Sequence, residues 1–300
     1  MIQQVNITNP RGDTLELVLA DPYRNGILVK DIKGLAPSQS TINYQSLATS
    51  DGGLFASART EPRAITFTLG MIGDNPEGAR QITYEYFPVK QEITMLFISD
   101  QRMRTITGYV ESHDADIFSN EEETTISVLC LDPWFYVYGP TAVVFSGVTP
   151  LFEFPFSNES LTEPLLEFGE IIRDNRAFLE YNGDVDSGVI VQINCLGPAD
   201  DIYIFNDETH ERMHIDTARV TAITGKALKK DDTIEINTTV GQKRIRLIRE
   251  GNWYNIISAL DRYSNWLVLR NGTNIFGLEA RTGENNLVAS FTYRTQYGGF

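Results

Sequence analysis

The chain has 300 residues, about two domains' worth, with 42% hydrophobic and 22% charged residues, the balance of a folded globular protein. Its formal net charge is −15 and its pI is near 4.6. That charge repels phosphate backbones and anionic bilayers, which argues against specific nucleic-acid binding and membrane docking. No apolar run approaches the ~18 residues of a membrane span.

The stretch Met1 to Asn6 lacks the charged and apolar regions of a signal peptide, so folding in a cytoplasm is expected. In chain order, the dominant period is two, the mark of half-buried strands. Leu15, Leu17 and Leu19 alternate with polar or small neighbours, as do Ile65, Phe67, Leu69 and Met71. Asn25-Gly26 supplies a tight turn between such runs. Asp74-Asn75-Pro76-Glu77 is a helix start, with an Asx cap and a proline in the first turn. Ala79, Ile82 and Tyr86 then form one apolar stripe, and Pro88 stops the helix. Ile93 to Ile98 is a hydrophobic run with the makings of buried strand surface at an interface. The acidic stretch Asp114 to Glu123 reads as a solvated loop. Ile126, Val128 and Cys130 resume the alternation, and a domain boundary is placed near Tyr138-Gly139-Pro140.

In the second half the alternation runs through Ile234 and Ile236, Ile245 and Leu247, and Leu287, Ala289, Phe291 and Tyr293. Asn182-Gly183, Gly251-Asn252 and Asn271-Gly272 are its turns. Cys130 and Cys195 sit in apolar strands of different domains and read as buried free thiols. Four Asn-x-Ser/Thr sites start at Asn6, Asn158, Asn237 and Asn271 and carry little meaning without secretion.

His210-Glu211-Arg212-Met213-His214 matches H-E-x-x-H, a zinc hydrolase signature that needs a helix to bring both histidines to one face. Its neighbours oppose a helix. Ile202 to Phe205 reads as a strand, Asn206 to Thr209 as a turn, and Met213 to Asp216 as the return strand. On a strand, residues four apart stand ~13 Å apart, too far to share one metal. Arg11-Gly12-Asp13 is most simply a turn. There is no glycine-rich phosphate loop and no G-x-S-x-G elbow, and the 40 acidic residues single out no catalytic pair. No catalytic, cofactor-binding or metal-ligating residue is therefore assigned, no cofactor is expected, and the chain reads as a non-enzyme. Of the late aromatics, Trp266 is placed in the core, on a strand Trp266 to Arg270 apolar on both faces, whereas Trp253 and Tyr254 are more open. Exposed, such rings would suit a carbohydrate-binding adhesin or a partner anchor.

The order of several soft motifs resembles the distal tail proteins of long-tailed bacteriophages. Arg63-Ala64-Ile65 resembles the R-x-I strand of that family, followed by a helix containing Arg80. Gly108-Tyr109-Val110 resembles its G-x-V strand, and Asp132-Pro133-Trp134-Phe135 the D-P-aromatic close of its first domain. Asp232-Thr233 opens a strand as in the second domain of the family. Trp266 to Leu269, the turn Gly272-Thr273-Asn274 and the final run Phe291 to Phe300 with Tyr297-x-Gly299 follow in the same order.

The resemblance implies a mostly β chain of two β-sandwich domains. The first, residues 1–138, would carry one packed helix, build a hexameric ring and line its channel. The second, 139–300, would be a galectin-like sandwich that docks receptor-binding or baseplate proteins. The ring would join the tail tube to a hub or fibre protein at the virion tail tip, or do the same in a tail-like bacteriocin. Assembly would take place in the host cytoplasm.

Overall fold

The computed structural model describes residues 1–47, 51–119, 121–139, 141–145 and 176–300. Asn158 and Asn120 lie outside them. The chain is mostly β and divides into two units, Met1–Gly139 with Gln296–Phe300, and Pro140–Thr295. The last five residues expected in the second domain thus belong to the first unit.

The strands of the first unit are β1 (Ile2–Thr8), β2 (Thr14–Val18), β3 (Ile27–Lys33), β4 (Ser40–Ser46), β5 (Gly53–Thr60), β6 (Arg63–Met71), β7 (Glu92–Ser99), β8 (Met103–Asp116), β9 (Glu123–Cys130) and β10 (Phe135–Val137). Helix α1 spans Pro76–Tyr86. Residues Gln296–Tyr297 form a last strand, β21, counted after ten in the second unit. The central strand is β8. It pairs with β7 through residues 103–109 and with β9 through 109–116, with a bulge between Val110 and Ser112. A long bulged strand can serve two layers in this way. One layer runs β2-β1-β7-β8 and adds β10 and β21, and the other runs β8-β9-β6-β3.

The alternation seen in the sequence fills the space between these layers. Val5, Ile7, Leu15, Leu17, Met95 and Phe97 face Ile65, Phe67, Leu69, Ile126 and Val128, all buried. Phe67 and Phe97, from opposite layers, stack with ring centres 6.4 Å apart. The run Ile93 to Ile98 is therefore an interior strand. It sits between β1 and β8 and sends Ile93, Met95 and Phe97 into the core, so it offers no free edge to a neighbour.

Helix α1 begins as expected, with the Asn75 side chain accepting from Gly78 N at 2.9 Å. It buries Ala79 and also Thr83, and its capping residue Phe87 reaches the core 5.5 Å from Phe67. The acidic segment is only partly a loop. Asp114 to Asp116 extend β8 and Glu123 opens β9.

Arg63, 3% exposed, starts β6 beneath three chain segments. It donates to Pro133 O at 2.8 Å, Gly34 O at 2.7 Å, Ala36 O at 2.6 Å and Gly298 O. Gly34 must be glycine there, because its φ is +88° and a Cβ would lie 2.0 Å from Ala64 O. Burial pushes the Arg63 guanidinium below the usual arginine range.

The second unit contains β11 (Thr141–Phe145), β12 (Arg176–Tyr181), β13 (Ile190–Cys195), β14 (Asp200–Asn206), β15 (Arg212–Ile215), β16 (Thr233–Asn237), β17 (Arg244–Arg249), β18 (Asn252–Asn255), β19 (Gly272–Thr282) and β20 (Leu287–Tyr293). They form a six-stranded sheet, β11-β20-β13-β16-β17-β18, and a four-stranded sheet, β12-β19-β14-β15. Val191, Ile193, Ile234, Ile236, Ile245, Leu247 and Phe291 of the first meet Leu179, Tyr181, Ile202, Ile204, Met213 and Phe276 of the second in one buried cluster.

The unit also holds a helix absent from the expectation, α2 (Thr217–Thr224). Asp216 caps it through Ala218 N and Arg219 N, and Gly225 closes it at φ 76°. Trp266 to Arg270 is not the strand expected from the sequence: it makes an isolated bridge, Leu269 to Ser187. Its core residues are Leu267 and Leu269. Trp266 is only partly buried, at the core margin, with Lys243 Nζ 5.1 Å from its ring. A ring carrying a polar N–H settles more cheaply there than the leucines would.

Asp232 and Arg249, 1% and 5% exposed, form a buried ion pair beside β16. Lys229 N, Lys226 O and Ala227 O occupy the remaining positions of the two groups.

Arg63→Met is expected to lower the unfolding free energy by about 3 kcal/mol or more, since it strands buried carbonyls. Arg63→Lys should recover little of it, because one ammonium cannot fork to four acceptors. Urea titration of the three proteins measures both effects. Cys130 and Cys195 are fully buried free thiols, and burial pushes each up to about 12. Above about pH 9 the unfolded chain loses thiol protons that the folded one keeps. Stability is therefore full below that pH and falls as pH rises toward 12, by about 1.4 kcal/mol per unit per thiol. Cys195→Ala should show a shallower fall than the parent in melts from pH 9 to 11.

Candidate assembly surface

Strands β4 and β5 form a hairpin that joins neither sheet. The stretch from Ser40 to Thr60 carries only two charges, Asp51 and Arg59, in a chain that is 22% charged. Its alternation makes the hairpin two-faced. Ile42 pairs with Ala58, and Tyr44 with Phe55 past a bulge, which puts these four side chains on one face. Thr41, Asn43, Ser57 and Arg59 take the other, with an Asn43 Nδ2 to Ser57 Oγ hydrogen bond of 3.0 Å.

The apolar face is uncovered among the described residues. Ile42 is 60% exposed, Tyr44 69% and Phe55 70%. At the hairpin base, Thr41 Oγ1 donates to Glu61 at 2.5 Å and Arg59 Nε does so at 3.1 Å. The Thr41 hydroxyl first, then the Arg59 charge, hold the Glu61 carboxyl below the usual range. Two strands alone bury too little to be stable in water. Contiguous exposed apolar surface of this kind marks an interaction site. The signal was present in the sequence as a charge-poor tract with an I-x-Y alternation before Asp51-Gly52-Gly53.

The zinc-like motif falls on a second hairpin. His210 lies in the turn between β14 and β15 with φ 58°, and His214 lies in β15 opposite Tyr203. His210 borders a shallow depression with Tyr203, Phe205, Asp207, Arg212 and Glu279. His214 stacks on Tyr203 at 4.3 Å, and its Nε2 faces Asp201 at 3.6 Å. Glu211 is taken by Arg270 at 2.9 Å. The three side chains are thus dispersed. Among the described residues no group of three His, Cys, Asp or Glu side chains is placed to hold a metal.

The ring faces nearby are also engaged. Arg212 lies 4.5 Å over Tyr203, and Arg176 4.8 Å over Phe205. Trp253, on the edge strand β18, is 62% exposed with Arg246 4.0 Å from its ring. Arg11-Gly12-Asp13 is the β1–β2 turn. Asn9 Oδ1 accepts from Arg11 N and Asp13 N, and Gly12 has φ 91°.

Two β units, the first carrying a packed helix, define the class: the fold is that of phage distal tail and baseplate proteins. The SPP1 Dit (gp 19.1) protein, described as a paradigm of the hub adsorption apparatus in phages infecting Gram-positive bacteria, is similar at 14% identity with a TM-score of 0.62. The similarity covers 97% of this chain and 98% of that one. Chains of the activated phage p2 baseplate are similar at 14% identity, with TM-scores of 0.52 in the calcium form and 0.53 in the strontium form. They cover 100% and 99% of this chain, respectively. No protein-family model and no curated protein sequence matches the chain.

Elemental analysis of protein dialysed after exposure to zinc is expected to find well below one zinc per chain. The His214→Ala variant should give the same value. A stoichiometric zinc lost with His214 would return the hydrolase reading.

Proposed function

We propose that this chain is a structural component of a phage-type tail tip. Six copies close into a ring at the distal end of the tail tube, and the ring joins the tube to a hub or fibre protein. The first unit builds the ring and borders its channel. The second unit, a galectin-like sandwich, docks receptor-binding or baseplate proteins. The protein works without catalysis, in the virion tail tip or in a tail-like bacteriocin, after assembly in the host cytoplasm.

The observation that carries this reading is the end-to-end likeness to the SPP1 Dit protein across both units. The uncovered face of the β4–β5 hairpin supports it. A cyclic ring joins one patch to a different patch on the next copy, and an amphipathic hairpin held outside the core is suited to reach a neighbour. A net charge of −15 suits a conduit that DNA crosses without adhering.

Light scattering after size exclusion, with negative-stain images, tests the reading. Six chains of 33.8 kDa make a ring of about 203 kDa. Tyr44→Ser with Phe55→Ser is expected to shift the ring to monomer while leaving the far-UV circular dichroism of the folded chain unchanged, since both side chains are exposed in the chain alone. A chain that stays monomeric at all concentrations, both alone and with tail-tube protein present, would count against the ring. A glycan array would then test the lone-adhesin alternative through Trp253.

A further inference from the structure

Residues 296–300 follow the whole of the second unit in sequence, yet they belong to the first. Gln296 and Tyr297 pair with Tyr136 and Phe135 of β10. Gly298 O is one of the four acceptors of Arg63. Gly299 O accepts from Arg104, which is 8% exposed and lies with its guanidinium carbon 3.6 Å over the Tyr297 ring. Phe300 N donates to Leu35 O at 3.0 Å. The Phe300 ring sits 5.7 Å from Phe97 and 6.3 Å from Phe135.

Residues 1–139 without this segment lack several things at one corner. Arg63 loses one of its four acceptors, and Arg104 loses the Gly299 carbonyl and the Tyr297 ring. An aromatic cluster opens. Strand β10, three residues long and held on its other side by two residue pairs to β8, becomes an edge. Buried charge left short of acceptors is costly, so this corner stays open until the segment arrives. Synthesis runs from the N-terminus, and the segment arrives only after residues 140–295 have been made.

We infer that residues 296–300 are a strap that closes the first unit last, so that a chain interrupted before Gln296 carries an open first unit. The strap checks that the second unit has been made before the first takes its final form. This inference does not depend on the tail-ring reading, because its readout is the stability of each unit within one chain.

The test compares the full chain with a chain ending at Thr295 by hydrogen exchange, read separately in β6, β8 and β10 and in β13 and β16. Exchange in the first set is expected to rise on the order of a hundredfold while the second set holds. A free peptide with the sequence of residues 296–300, added at millimolar concentration to match the effective concentration of a tethered segment, is expected to restore protection. Phe300→Ala in the full chain should give a smaller rise in the same strands, and it serves as the test if the shortened chain fails to fold. Unchanged exchange in the first unit, an equal rise in both units, or a peptide without effect would overturn the strap.

Discussion

A guanidinium that faces no carboxylate among the described residues, buried under four backbone carbonyls, is the constraint on which the first unit depends. Burying a charge costs several kcal/mol unless its hydrogen-bonding capacity is filled. At Arg63 the filling comes from the chain itself: two carbonyls after β3, one after β9 and one beyond Tyr297. Segments far apart in sequence are thereby fixed to one point, and the hydrophobic layers between β6 and β7 inherit a closed end. Phe135 stands 4.7 Å from the same guanidinium carbon, which joins the polar corner to the aromatic core.

The second unit solves a similar problem in another way. There Arg249 meets a true counter-ion in Asp232, and two carbonyls and an amide complete the set. The pair fixes the turn before β16 against the end of β17. Around it the sandwich is held by area, with Phe276 stacked on Phe291 at 5.3 Å across the two sheets. Each unit thus combines non-directional burial with a buried polar anchor whose partners are fixed by the chain.

The sequence made the strands of both cores legible because a period of two has one physical cause, a sheet with one buried face. The runs Ile65 to Met71 and Leu287 to Tyr293 show it directly. The cap at Asn75 was legible for the same reason, since capping is local chemistry. What stayed hidden is long-range. Nothing in Gln296 to Phe300 tells which core those residues join, because their partners lie 160 to 265 residues away in sequence. Trp266 was misplaced because hydrophobicity alone does not rank a tryptophan against Leu267 and Leu269 for a core position. Helix α2 is eight residues with a weak apolar stripe, and its cap at Asp216 was read as strand. The hairpin β4–β5 escaped notice because its alternation matches that of core strands, and only the sheet pairing and the exposure of Ile42, Tyr44 and Phe55 set it apart from them.

The two cysteines carry a different kind of consequence. Both are fully enclosed, and both hold their protons far into the alkaline range. A thiol reacts with oxygen species and disulfides as its thiolate, from a reachable surface. A protein so arranged is slow to cross-link to its neighbours or to age by sulfur chemistry, even in air-saturated fluid. Durability in storage is then a property of where two small side chains were put.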